Sequence, residues 1–414
     1  MHHYLHIPFC RQKCPYCKFA LTPIFDETKK RRYIAYLKSE IWEYFSEQNP
    51  PNPLSQGGIE TIYFGGGTPS VLSLSEVCEI LEYFREAPFA KELSEMERKT
   101  KDFFLKQDPP YTPLQSGFTE ISFECNPEDI TSEYVEWLLA LGINRLSIGI
   151  QSLSDDTLKA IHRSDRVSIS HALDAIWSVI ARNESVPVTN DVAIQVPGIL
   201  DCFVPRNDKN STLSVNIDFI LGLPYSQAWE TLANIRELHA RYPYITHTSV
   251  YMLENELYPK DWKGHSIGEI EIRAEYLEIM KYFSSLGWHH YELSNWSKPG
   301  YECEHNKWYW DHSEYRWYGL SASSFVWDKR WTNSSSFAGY YRWAKEGEEI
   351  LTSEDIHIEK IMFGLRTRGV DISLLDKERY LPLVDQDLLE IHGNQISPTK
   401  TWIFLLDHII GKLY

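Results

Sequence analysis

The chain reads as an α/β protein: a barrel-like or doubly wound sheet of six β/α units, followed by a region of different pattern. Three observations predict this. Short β-rich runs alternate with longer helical patterns through the first two-thirds of the 414 residues, which calls for parallel strands joined by right-handed crossovers. Residues with recognisable chemistry collect at the carboxyl ends of those runs, where such sheets place their ligands. Beyond Leu253 the rhythm gives way to a helix near Ile270–Phe283, an aromatic-rich stretch and a more helical tail.

In order, the predicted strands are Tyr4–Ile7, Thr61–Phe64, Glu120–Glu124, Arg145–Ile150, Val215–Leu221 and Thr248–Leu253. Helices are predicted between them, near Lys29–Phe45, Leu74–Phe84, Ser132–Leu141, Asp155–Ile180 and Trp229–His239. Two stretches break the alternation. Residues 89–117 end in the loop signature Asp108-Pro109-Pro110-Tyr111-Thr112-Pro113, and residues 182–214 exceed a usual connection; both read as surface insertions. The expected division is a core at 1–262 and a second domain at 263–414.

Composition narrows the function. The apolar fraction of 43% and charged fraction of 24% are those of a globular protein, and a net charge of −17 argues against nucleic acid, whose phosphates need a basic surface. No run is long enough for a membrane span, since Trp402-Ile403-Phe404-Leu405-Leu406 is interrupted by Asp407 and His408. The start of the chain lacks the basic and apolar regions of a secretory signal, and seven cysteines are few and odd in number, so a reducing cytoplasm is the expected location. Fourteen tryptophans, many between Trp288 and Trp343, suit either a flat apolar ligand or an aromatic core.

The first strand runs into Cys10-Arg11-Gln12-Lys13-Cys14-Pro15-Tyr16-Cys17. Three thiolates spaced CxxxCxxC suit a 4Fe–4S cluster with one iron left open to another ligand. Zinc is the alternative, but closed zinc sites take four protein ligands, and Phe19 stands at the next plausible position. The second strand ends in Gly65-Gly66-Gly67-Thr68-Pro69, which serves either close backbone approach to a ligand or a tight turn. Glu124, in Glu124-Cys125-Asn126-Pro127, is placed to accept from ribose hydroxyls or to cap the helix starting near Thr131. The fourth strand ends in Gly149-Ile150-Gln151-Ser152, with Arg163 beyond it. Asp218 lies inside an apolar strand, so it calls for a partner or a ligand, and Arg163 is the natural candidate.

In order, CxxxCxxC, GGGTP, E-x-N-P, GIQS and N-x-D-x-I-x-G-L-P resemble the radical S-adenosylmethionine family, along the branch that holds oxygen-independent coproporphyrinogen III oxidase and HemW-type heme chaperones. The resemblance runs from Tyr4 into the C-terminal region, the two insertions apart. It implies a partial (β/α)6 barrel with an α+β C-terminal domain, and it implies roles. Cys10, Cys14 and Cys17 would ligate the cluster, whose open iron would chelate the methionyl group of S-adenosylmethionine. Gly66, Gly67 and Thr68 would line that methionine end; Glu124, Gln151, Arg163 and Asp218 would hold ribose and polar groups; Tyr4 and Tyr16 would flank the cluster. In this family the reduced cluster cleaves the sulfonium, and the protein positions the reactants and excludes water.

Two features point to the chaperones. The oxidase pattern carries a fourth cysteine where Phe19 stands, and Cys303-Glu304-His305-Asn306-Lys307-Trp308-Tyr309-Trp310 contains HNxxYW, which is similar to a heme-associated motif. His305 is then the candidate axial ligand of a heme cargo, with Cys303 a further thiolate candidate; apart from the resemblance, a buried hydrogen-bonded His305 beside core Trp308 and Trp310 is the alternative. Relatives usually run on through a Gly-Pro-Gly-Ala-His-Ser type of segment, whereas this chain has Ser323 in place of that histidine. The expected role is binding heme and passing it to acceptor proteins of respiration. The competing role is oxidative decarboxylation of coproporphyrinogen III. Replacing Cys14 by Ala should abolish the brown chromophore of anaerobically purified protein; an unchanged absorbance band would remove the cluster from this loop.

Overall fold

The computed structural model describes residues 1–23, 26–47, 60–86, 118–185, 213–253, 259, 262, 264–265, 267–399 and 404–414. Residues 89–117 of the first predicted insertion, and 186–212 of the second, lie outside these.

The first half alternates as expected: β1 (His2–Ile7), the short pair β2 (Phe9–Cys10) and β3 (Thr22–Pro23), α1 (Glu27–Glu47), β4 (Glu60–Gly66), α2 (Leu74–Glu86), β5 (Phe118–Cys125) and α3 (Ser132–Ala140). It continues with β6 (Arg145–Gln151), α4 (Asp155–Ala160), α5 (Arg166–Ser185), β7 (Ser214–Leu221), α6 (Glu230–Arg241) and β8 (His247–Met252). The single helix expected over Asp155–Ile180 is two helices. His162 takes a φ of 57°, and the Asp165 carboxylate accepts from Ser168 N at 2.8 Å to begin α5, so Arg163 sits in the break.

Strands β1, β4, β5, β6, β7 and β8 lie side by side in that order, all parallel, as the α/β reading requires. Later elements extend the same sheet. After α7 (Glu269–Ser285), β9 (His289–Glu292) and β10 (Asn295–Ser297) add antiparallel strands beside β8. After α8 (Glu304–Trp310), β11 (Tyr315–Tyr318) pairs parallel to β1, and β12 (Ser323–Val326), β13 (Lys329–Asn333) and, past α9 (Phe337–Tyr340), β14 (Lys345–Ile350) complete twelve strands. The tail consists of α10 (Ser353–Leu365), β15 (Val370–Asp371), α11 (Lys377–Asp385), the hairpin β16 (Leu389–His392) and β17 (Gln395–Pro398), and α12 (Leu406–Leu413), around a small core of its own that includes Ile361, Ile396 and Ile409. No described helix is long and apolar enough to cross a membrane.

Successive residues of a strand face opposite ways, and here one face is mostly apolar, with His3 and Thr248 as exceptions, and the other mostly polar. Leu5, Ile62, Phe64, Phe123, Ile148, Ile217 and Phe219 point to the helices and are fully buried, each contributing on the order of 1.5–3 kcal/mol by leaving water. The alternate positions are polar: His2, Tyr4 and His6 on β1, Thr61 and Tyr63 on β4, Glu120 and Glu124 on β5, Arg145 and Ser147 on β6, Asn216 and Asp218 on β7, His247 and Ser249 on β8. These groups satisfy one another across strands, for instance His2 Nδ1 with Thr61 Oγ1 at 3.0 Å and His247 Nδ1 with Asn216 Oδ1 at 2.6 Å.

The later strands are tied to the core by one buried carboxylate. Glu40 on α1 accepts from Arg316 Nη2 (3.2 Å), Gly319 N (2.8 Å), Asn333 Nδ2 (2.9 Å) and the Tyr340 hydroxyl (2.8 Å). Gly319 follows β11 with φ at 105°, and a Cβ there would overlap the Tyr33 hydroxyl and lie 2.9 Å from the His6 carbonyl oxygen. Gly319→Ala should therefore destabilise the protein by about 2–4 kcal/mol, read as a lower urea midpoint. An unchanged midpoint would contradict this docking of β11 on α1.

Candidate cofactor site at the strand ends

The cysteine loop is closed at its base by β2 and β3, with Thr22 N donating to the Pro8 carbonyl at 2.7 Å. The glycine turn after β4 clasps it: Gly67 N donates to Ile7 O and Thr68 N to Phe9 O, both at 2.8 Å. A Cβ on Gly67 would lie 2.7 Å from both carbonyl oxygens, and one on Gly66, whose φ is 108°, would lie 2.5 Å from His6 Nδ1. Both glycines are thus demanded by the chain's own backbone and side chains, whatever else they face.

Inside the loop Cys10 is buried, with its sulfur 3.2 Å from Thr68 Oγ1, while Cys14 and Cys17 are half-buried and linked by a Cys17 N to Cys14 O turn of 3.1 Å. Burial pushes the Cys10 thiol up to about 11 against the Thr68 hydrogen bond, and burial also raises Cys17. The Tyr16 hydroxyl and the Arg163 guanidinium both hydrogen-bond Cys14.

Arg163 does not pair with Asp218. It donates to Asn126 Oδ1 at 2.7 Å and to the Gly149 carbonyl, because the break between α4 and α5 carries it over the end of β6 towards the cysteines. Asp218 instead accepts from Ser147 Oγ at 3.1 Å and Asn216 Nδ2 at 2.7 Å, its neighbours on the polar face. Of the two readings of Glu124, helix capping does not apply, because Thr131 takes that place by accepting from Tyr134 N. Its carboxylate accepts from the Tyr63 hydroxyl at 3.0 Å and Gly66 N at 3.2 Å; burial, then the Asp218 charge, raises it to about 7. Gln151, at φ 68°, has a buried Oε1 without a hydrogen-bond partner among the described residues. The structure thus brings Thr68 to Cys10, Arg163 and Tyr16 to Cys14, and Glu124 to Gly66, with Gln151 and Asp218 on the adjoining strands. Asn126, which bonds both Arg163 and Thr68, was not singled out from the sequence, although it lies inside the E-x-N-P motif.

Beside this loop opens a cavity of about 680 Å³, walled by Tyr4, Tyr63, Tyr309 and Trp317, with Lys18 and Phe19 also lining it. Tyr4 and Trp317 have ring centroids 4.3 Å apart. His305 reaches this cavity but is 1% exposed, with Nδ1 2.6 Å from Thr61 Oγ1 and Nε2 2.5 Å from the Tyr309 hydroxyl. Neither nitrogen is free in this geometry, and burial holds the ring neutral, well below its ordinary value. The Cys303 sulfur, also buried, donates to Glu120 and is raised by burial, so it is a thiol rather than the thiolate considered from the sequence. Trp308 stacks on His2 at 4.6 Å and Trp310 meets Phe363 edge-on at 5.8 Å, so both pack instead of walling the cavity. Ser323 spends its hydroxyl on Thr332, 2.7 Å away.

A family model described as the radical SAM superfamily matches residues 4–197, the stretch that supplies every strand-end group above except Asp218. Over that stretch the chain is similar to the radical SAM superfamily. Similarity to curated relatives extends further: the heme chaperone HemW of Synechocystis sp. is 28% identical over 96% of this chain and 89% of its own. HemW of Mycobacterium tuberculosis is 26% identical over 99% of this chain and 94% of its own. In three dimensions, coproporphyrinogen III oxidase (HemN) of Escherichia coli superposes with a TM-score of 0.69 over 100% of this chain and 89% of that one at 18% identity, which establishes a HemN-like radical SAM fold.

The radical SAM family implies a 4Fe–4S cluster and S-adenosylmethionine, and the residues present here fit both. Among the described residues no three His, Cys, Asp or Glu side chains converge as ligands of a single metal ion. Three sulfurs without a fourth protein ligand suit a cluster with one open iron, and the unpartnered Gln151 Oε1 is a polar atom left for a ligand. Thiols raised by burial would lose their protons on metal binding. The acid Glu124 makes stability pH-dependent without any ligand. An unfolded carboxyl ionises near 4.5 while Glu124 stays protonated to about 7, so stability should fall as pH rises through that window, by at most about 3 kcal/mol. Urea melts from pH 5 to 8 should show this slope, reduced in Glu124→Gln but not abolished, because buried Glu292 is also raised to about 7. Equal slopes in the two proteins would refute the assignment.

Proposed function

We propose that the chain is a heme chaperone of the radical SAM superfamily, binding heme beside a 4Fe–4S cluster and S-adenosylmethionine and passing the heme to acceptor proteins, among them those of respiration, in the cytoplasm. The observation that carries this reading is similarity over nearly the whole length to HemW proteins, together with Phe19 at the position where the oxidase pattern has its fourth cysteine. Phe19 lines the cavity and remains 61% exposed, an apolar surface offered to a ligand.

In this reading Cys10, Cys14 and Cys17 hold the cluster, and Gly66, Gly67 and Thr68 form the floor beside it. Glu124, Gln151, Arg163 and Asp218 orient S-adenosylmethionine, with Tyr4 and Tyr16 closing the site against water. The cluster supplies an electron when bound; Arg163, fixed by Asn126 and Gly149, places a permanent cation next to Cys14 and favours the charged, ligated sulfur. Residues 1–262 form the cofactor unit, and 263–414 contribute α8 and the heme-facing wall. Among the described residues Lys18 is the one lysine or arginine lining the cavity, which suits heme better than coproporphyrinogen, a substrate with more propionates to neutralise.

Reconstituted protein incubated anaerobically with S-adenosylmethionine, reductant and coproporphyrinogen III should form no protoporphyrinogen, and heme-loaded protein should transfer heme to an apo-cytochrome. Protoporphyrinogen appearing in step with 5′-deoxyadenosine would make this an oxidase and overturn the chaperone reading.

A further inference from the structure

We infer that this site grips the plane of a tetrapyrrole and not its iron, and that His305 is a positioning residue held in place by Thr61, Tyr309 and Glu120. The inference rests on the heme reading above but departs from the expectation that His305 ligates the metal.

An axial ligand needs one imidazole nitrogen facing the metal while the other is anchored. Here both are anchored, and the ring is packed against Tyr63, with centroids 5.1 Å apart, and Tyr4, at 6.5 Å. The hydrogen bonds also have a consistent direction. An indole N–H only donates, so Trp317 Nε1 gives its proton to the Tyr309 oxygen at 2.6 Å. Tyr309 is then set to donate to His305 Nε2, which puts the imidazole proton on Nδ1, towards Thr61 Oγ1. Thr61 in turn donates to His2 Nδ1 at 3.0 Å. Every member uses its proton once. Freeing Nε2 for iron would leave the Tyr309 hydroxyl unpaired in a buried place.

Glu120 completes the clamp. Its carboxylate accepts from Glu304 N at 3.0 Å, His305 N at 3.1 Å and the Cys303 thiol, satisfying amides at the start of α8 that have no partner within the helix. The buried Arg145 guanidinium feels both Glu120 and Cys303 and supplies the countercharge. Residues of β1, β4 and β5 thus fix α8 from beneath, and its other side delivers Asn306 and Tyr309 to the cavity. What the cavity offers a ligand is then ring faces (Tyr4, Trp317, Phe19) and, from the exposed Lys18, one cation for a carboxylate at the porphyrin edge.

The test compares hemin with iron-free protoporphyrin IX, titrated into cluster-loaded protein by tryptophan quenching and absorbance. Wild type should bind the two within about threefold of each other. His305→Ala and Glu120→Gln should weaken both by the same factor, on the order of tenfold, with cluster content and melting curve checked alongside. Tyr309→Phe, which releases Nε2, should leave the hemin spectrum free of a histidine-ligated signature. A large hemin preference that His305→Ala removes, or a histidine-ligated spectrum in Tyr309→Phe, would overturn the inference while sparing the heme reading. Wild type that binds neither porphyrin would overturn both.

Discussion

Every part of this site depends on the division of six parallel strands into an apolar and a polar face. Parallel strands covered on both sides usually read as continuous hydrophobic runs. Here the pleat alternates, so the helices take one face and the other is a lattice of His, Tyr, Thr, Glu, Arg, Asn and Asp side chains. Burying such groups is costly unless each finds a partner, and cross-strand bonds such as those of Asn216 with Ser147, Asp218 and Ser249 supply them. The polar face is therefore largely self-satisfied, and at the carboxyl end of β6 Gln151 Oε1 is left over for a ligand.

The cysteine loop inherits its position from that arrangement. Its base is pinned by backbone bonds from Gly67 and Thr68, which need glycine for steric reasons internal to the chain. Its sulfurs face the ends of β4, β5 and β6, where one cation and two acids stand: Arg163 by Cys14, Glu124 by Gly66, Asp218 beyond. The Asp218 charge adds to burial in raising Glu124 across the sheet, a repulsion that a cationic sulfonium ligand would relieve.

The strands and most helices were legible in the sequence because their periodicities are local. The cysteine spacing was legible for the same reason, as three residues on one short loop. What escaped was set by distant pairing or by a single backbone torsion. The break at His162 depends on one positive φ, invisible to periodicity, and it moved Arg163 from an expected partner of Asp218 to a neighbour of Cys14. Asp218 found donors at Ser147 and Asn216, small polar residues that the strand alternation could have flagged had the polar positions been read as a shared face. Likewise the C-terminal strands joined both edges of the first sheet through pairings such as Tyr4 with Trp317, separated by most of the chain.

The same face explains why a helix from the C-terminal region belongs to the site. A polar sheet surface at the β1, β4 and β5 end would be left with an unpaired Glu120 and Thr61 if nothing covered it, and an apolar helix would not satisfy them. The start of α8 brings amide donors to Glu120 and an imidazole to Thr61, so the first turn of the HNxxYW segment is complementary to the lattice beneath it. The two halves of the chain are then joined by hydrogen bonds that require the imidazole to face inward. A histidine in such a place serves the shape of the cavity above it, and what that cavity presents is the rings of the tyrosines and tryptophan that line it.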